Sequence, residues 1–122
     1  MSASSPLKVI KHGEITVVVF GPAQRRLDEM GLEDIRRQLV EIADTAVPPW
    51  LILDLAATEF FGSSFIDVLF RVWKRVKAQP NGKFAIGGLH EYCREVLEIT
   101  QVDRIFPLYA SRDEAAEAMS AV

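Results

Sequence analysis

The sequence predicts an α/β fold: a mixed, mostly parallel sheet of about five strands, opened by an antiparallel N-terminal hairpin and accompanied by four helices. Three observations carry this. Segments rich in β-branched and apolar residues alternate with segments of helical periodicity, in the order β-β-α-β-α-β-α-β-α. Such alternation implies right-handed crossovers and parallel pairing. The segment WLILDL, residues 50–55, is nearly all apolar, as expected of a strand buried on both faces beneath helices. The first two strand-like segments lie close enough to form an antiparallel hairpin.

Residues 1–6, MSASSP, are polar, lack an apolar signal core, and are expected to be disordered ahead of a single domain over 7–122. Residues 7–11 alternate, with Leu7 and Val9 on one side and Lys8 and Ile10 on the other, which reads as an edge strand. His12-Gly13 marks a turn. The β-branched run Ile15, Thr16, Val17, Val18, Val19 makes residues 14–20 a strand, ended by Gly21-Pro22. Residues 23–30 read as a loop with a helical turn. Leu32, Ile35, Leu39, Ile42 and Ala46 then fall on one helical face, and the helix stops before Pro48-Pro49.

After the buried strand, a second long helix is predicted over residues 64–78, closed by Pro80-Asn81-Gly82. Residues 83–86 form a short strand freed at its end by Gly87-Gly88. Residues 90–99 form a helix with Tyr92, Cys93, Val96 and Leu97 on one face. Residues 105–109 form the last strand. Ser111 followed by Glu114 is a capping box, and the final helix turns Ala115, Ala116 and Met119 inward.

Composition removes several functions. A chain of 122 residues, 49% hydrophobic and 25% charged, has enough apolar material for one real core. Its net charge of −3 offers no electrostatic attraction for nucleic acid or an anionic membrane. No apolar run is long enough to insert in a bilayer. The single cysteine, Cys93, cannot form an internal disulfide, so a cytoplasmic location is expected. His12 and His90 lie far apart with no ligand-like spacing, and Cys93 on an apolar helix face reads as a small core residue, so neither a metal nor a cofactor is expected. No Walker loop, GxGxxG or G-x-S-x-G is present, and a serine without a positioned base is a poor nucleophile. The chain is therefore read as a non-enzyme.

The informative stretch is WLILDLAATEFFGSSFIDVLFRVWKRV, residues 50–76, in which a strand feeds a helix through the corner Gly62-Ser63-Ser64. Helix N-termini present unpaired N–H groups and the positive end of the dipole, where a phosphate is well accommodated. Ser64 followed by Asp67 matches the S-x-x-D capping pattern, which gives Ser64 a structural role as helix cap. Ser63, just outside the helix, has no such role and is expected to be accessible. On the helix, Phe65, Leu69, Val72 and Val76, with Val68 beside them, form a stripe for the sheet. Ile66, Phe70 and Trp73 form a flanking stripe that must either meet a neighbouring helix or remain partly exposed. If exposed, it makes a partner-binding surface next to the corner, and the same stripe would equally serve a homodimer.

The strand LILDLAATEFF, the serine corner and the following helix resemble the STAS domain, named for sulfate transporters and anti-sigma-factor antagonists. The resemblance continues through CREVLEITQVDRIFPLYASRDEAAEAM, with an R-x-V-L-x-x-T helix, a hydrophobic-D-x-hydrophobic-F step, a short strand and an acidic, alanine-rich last helix. It implies a STAS-like fold and a stand-alone bacterial switch protein of the anti-sigma-factor-antagonist type. It also implies a partner, an anti-sigma factor that is itself a GHKL-type serine kinase, and a PP2C-type phosphatase to reverse phosphorylation. Matched onto the family's D-S-[ST]-G corner, the phosphoacceptor falls on Ser63 and the second hydroxyl on Ser64. Gly62 stands in place of the family's Asp, and Phe65 in place of a frequent Gly. GPAQRRLD departs from the usual G-x-[LI]-D. The resemblance also admits a second role: a scaffold or accessory subunit of a signalling or lipid-transport complex, with no phosphoswitch.

Overall fold

β1 (Lys8–His12) and β2 (Ile15–Val19) form the expected hairpin, antiparallel in the register Val9↔Val18 and His12↔Ile15. The computed structural model describes residues 7–27 and 31–120. The expectation of disorder at residues 1–6 lies outside these, as does the end of the 23–30 connection.

After a 3-10 turn at Pro22–Gln24 come β3 (Arg26–Leu27), α1 (Leu32–Thr45), β4 (Trp50–Asp54), β5 (Phe60–Phe61) and α2 (Ser63–Lys77). The chain continues through β6 (Lys83–Gly87), α3 (Glu91–Ile99), a 3-10 turn at Val102–Arg104, β7 (Leu108–Tyr109) and α4 (Arg112–Ser120). The main sheet has the order β1-β2-β4-β6-β7, parallel from β2 onward.

Register explains how β4 can be apolar up to its last residue, Asp54. Val18, Leu53 and Ile86 lie in line across three strands, on the face covered by α1, α2 and α3. Val17, Ile52 and Ala85 lie in line one residue earlier, on the face that meets Ala115, Ala116 and Met119 of α4. A period of two sends alternate residues of β4 into two separate cores, so neither face can be polar. Leu51, Ile52 and Leu53 are wholly buried. Each such side chain contributes roughly 1.5–3 kcal/mol relative to exposure.

α4 lies close to the sheet because its inward residues are small and because Gly87 has no side chain. A Cβ at Gly87 would fall 2.8 Å from the backbone of Ser111 and Arg112. The Ser111 hydroxyl accepts the Glu114 N–H at 3.1 Å, the expected N-terminal cap. Arg112 reaches the Asp54 carboxylate at 3.3 Å, tying α4 to the end of β4.

Three local expectations are corrected. The last strand is shorter than residues 105–109, because the 3-10 turn carries the chain inward and buries Phe106. The connection read as a loop contains β3, paired in parallel with β5 as Arg26↔Phe60 and Leu27↔Phe61. That small sheet is held by the buried Leu27 and Phe61 and by the Thr58 hydroxyl, which donates to the Gln24 carbonyl at 3.1 Å. Tyr92 does not join Cys93 and Leu97 inside but is 52% exposed. It sits in the first turn of α3, where its ring stacks on Phe60 at 6.0 Å.

Candidate docking site at the serine corner

α2 begins one residue earlier than the sequence implied. Gly62 is its N-cap, in extended conformation, and Ser63 is the first helical residue. No side chain caps the helix, so the expected Ser64 cap with Asp67 is not formed. The physical reason is the shift itself. A capping hydroxyl must stand before the first turn in a non-helical conformation, and Ser64 is already the second helical residue. The Gly62 carbonyl instead accepts the Phe65 N–H at 3.1 Å. Asp67 pairs along the helix with Arg71 at 3.9 Å.

This places the two hydroxyls differently. Ser63 is exposed, and no hydrogen bond to its side chain is present among the described residues. Ser64 is half-buried and lines a groove of about 500 Å³ between α1 and α2, together with Leu32, Glu33, Arg36, Asp67 and Arg71. On the α1 wall of that groove Arg36 makes a hydrogen-bonded ion pair with Glu33. The guanidinium holds the Glu33 carboxyl below its ordinary value. Both groups are at the surface, so the pair is a solvated fixture of the groove wall.

Phe65 turns wholly inward. Its ring meets Phe20 edge-on at 6.0 Å and Phe61 at 5.3 Å. The bulk that departs from the family's corner is thus absorbed by the core. Gly62 is not demanded by the backbone: its φ is −106°, open to any residue, and a Cβ there would meet nothing within 4 Å.

The flanking stripe of α2 remains partly exposed. Ile66, Phe70 and Trp73 are half-buried against the main core, with Phe70 at 5.2 Å and Trp73 at 6.1 Å from the Phe106 ring. Their inner edges belong to the core and their outer edges reach the surface. Asp67, Arg71, Lys74 and Arg75 are exposed beyond them, and Arg75 bridges to Asp44 of α1 at 2.8 Å.

Beside the corner lies a group that sequence reasoning missed. The Arg26 guanidinium sits 4.6 Å from the Phe60 ring centroid, and Tyr92 stacks on the same ring. β5 touches both α2 and α3, so this stack adjoins the corner. One signal was available: adjacent residues of an extended segment point to opposite faces, so Phe60 and Phe61 cannot enter the same core.

His90 caps α3 by position, and its Nε2 contacts the Ala56 carbonyl at 2.5 Å. His12 lies on β1 at the far edge of the sheet. Cys93 is buried, near the Thr58 carbonyl at 3.8 Å, and burial pushes its thiol up to about 11. These residues are not brought together. No helix is long and apolar enough to cross a membrane among the described residues.

The fold is that of a small mixed α/β module with an exposed serine at a strand-to-helix junction. The STAS domain model matches residues 8–115, and the chain belongs to the STAS domain family. It is similar over 97% of its length to all of an anti-sigma-factor antagonist (STAS) domain protein from Planctomyces limnophilus, at 37% identity and a TM-score of 0.88. An anti-sigma factor antagonist from Mycobacterium paratuberculosis matches at 25% identity and a TM-score of 0.79, covering 93% of this chain and 92% of that one. The Bacillus cell fate determinant SpoIIAA in its phosphorylated form matches at 16% identity and a TM-score of 0.64, over 92% of this chain and 97% of that one. The last likeness concerns the fold alone.

Proposed function

We propose that this chain is a non-enzymatic regulatory binding module of the anti-sigma-factor-antagonist kind, acting in a bacterial cytoplasm. It docks an anti-sigma factor that is also a GHKL-type serine kinase, through Gly62, Ser63 and the outer edges of Ile66, Phe70 and Trp73. Ser63 is the phosphoacceptor, and a PP2C-type phosphatase restores it. The observation that carries this reading is the exposed Ser63 hydroxyl, with no partner among the described residues, at the first position of α2. Its neighbours Ser64 and Phe65 turn towards the groove and the core.

A phosphate on Ser63 carries about −1.5 to −2 charges at neutral pH. The helix N-terminus tolerates that charge, so α2 stays folded. Asp67, one turn on, opposes it, and a partner seated on the corner would have to desolvate it. Phosphorylation therefore weakens docking.

The test combines modification and capture. The protein is incubated with ATP and a soluble lysate of its host, and its intact mass and phosphosite are read. A single phosphate on Ser63 is expected. Capture of a kinase-like partner should survive Ser63→Ala and fail with Ser63→Asp. An unmodified Ser63, with capture indifferent to both substitutions, overturns the switch. That outcome favours the second reading, a scaffold or accessory subunit of a signalling or lipid-transport complex. The absence of an acid at Gly62 is the observation on its side.

A further inference from the structure

β6 spans Lys83–Gly87, but β7 covers only Leu108–Tyr109, paired as Ile86↔Leu108 and Gly87↔Tyr109. The ladder stops at Pro107. Its carbonyl accepts the Ile86 N–H at 3.0 Å, but its ring nitrogen has no hydrogen to extend the pairing toward Phe84. The Lys83 N–H donates inward to the Pro49 carbonyl at 2.9 Å. By alternation along the strand, the Phe84 N–H and C=O face the outer edge. No backbone group among the described residues meets them there.

A cleft of about 470 Å³ runs along this edge. Lys83, Phe84 and Ala85 all line it, although their side chains alternate between the two faces of the sheet. The cleft therefore follows the strand edge rather than either face. Trp73 of α2 and Met119 of α4 contribute its apolar walls, and Lys77 lines it with Lys83. The Lys77 ammonium donates to the Gly82 carbonyl at 3.1 Å, and that of Lys83 to the Met119 carbonyl at 3.0 Å. Neither meets a carboxylate among the described residues, and each keeps donors to spare.

We infer that this edge binds a short extended peptide that ends in an apolar residue. The peptide main chain bonds to the Phe84 N–H and C=O, its last side chain enters between Trp73 and Met119, and its terminal carboxylate reaches Lys77 and Lys83. Strand addition supplies the main-chain bonds, side-chain pockets the selectivity, and the two ammoniums the charge complement. The volume suits a ligand of that size. Lys77 closes α2 at the end opposite Ser63, roughly 20 Å away along the helix, so this site lies at the other end of α2 from Ser63 and shares Trp73 with the proposed docking surface.

The isotope-labelled protein is titrated with acetyl-Gly-Val-Leu bearing a free carboxylate, and with the same peptide as its C-terminal amide, while amide and indole NMR signals are followed. The acid is expected to shift the Phe84 amide and the Trp73 indole saturably. The amide form should bind about tenfold more weakly, the scale of a hydrogen bond to a charged group. Lys77→Gln should weaken the acid and leave the amide form unchanged. Ile105→Asp, at a lining residue that is 38% exposed, should abolish both. If Ile105→Asp unfolds the chain, Lys77→Gln decides alone. Absent shifts, shifts centred away from Phe84, or equal affinity for acid and amide overturn the proposal.

Discussion

Replacing Phe65 with alanine separates a core role from a docking role at the corner. The ring is fully buried and contacts Phe20 and Phe61 at 6.0 and 5.3 Å. Removing a buried phenyl group costs about 3–5 kcal/mol in lost transfer energy and residual cavity, with the two ring contacts included. Phe65 lies in the first turn of α2, where the backbone can settle partly into the space, so the lower half of that range is expected. With a urea m-value of about 2 kcal/mol per molar, the unfolding midpoint should fall by roughly 1.5–2 M. Far-UV circular dichroism across a urea titration measures this directly. A fall of less than about 0.5 M would mean a loss of about 1 kcal/mol or less. The ring would then lie at the surface, and the corner would present an aromatic side chain to partners in place of an accessible hydroxyl.

Further predictions follow from the same geometry. Gly62→Asp should leave stability unchanged or raise it by a few tenths of a kcal/mol, because aspartate caps at least as well as glycine and nothing lies within 4 Å of the new Cβ; a thermal melt checks it, and a clear loss would refute the open geometry. Gly87→Ala should cost about 1–3 kcal/mol, since its methyl group would press into the Ser111–Arg112 backbone 2.8 Å away and force α4 outward; an unchanged urea midpoint would contradict that packing. Cys93 should resist a thiol reagent in native buffer at mildly alkaline pH and react quickly in denaturant. The native thiol titrates at about 11, above its ordinary 9.0, so its contribution to stability is present below pH 9.0 and lost as pH rises through about 11. Rapid labelling of the folded protein would refute this burial.

The long elements were legible because period and composition act over many residues. The nearly all-apolar β4 announced two-sided burial, and Leu32, Ile35 and Leu39 marked the inner face of α1. What escaped was built from pairs and boundaries. β3 and β5 pair over two residues each, too short for any periodicity, and form because Leu27 and Phe61 are drawn into the core from both sides. The Ser64-Asp67 pattern failed by a single residue of helix start, which tertiary packing of Phe65 decides and local propensity does not. Tyr92 was misplaced because a helical face fixes direction only to about a quarter turn, whereas the Phe60 ring across the gap selected its side. The corner itself was legible as a pair of hydroxyls with Ser63 at the surface, and the fold added that Ser64 lines a groove.

The β1–β2 hairpin has a kinetic consequence. Among the described residues it is the one ladder of the main sheet whose partners are neighbours along the chain, joined at His12↔Ile15 by a two-residue turn. β2 with β4, β4 with β6 and β6 with β7 each require an intervening helix to be threaded before the first bond forms. Closing such loops costs entropy before any contact compensates, so these parallel ladders set the pace of folding. In that sequence β4 and β6, each flanked on both sides by crossovers and buried on both faces, must wait for two loop closures before their apolar edges are sheltered from other chains.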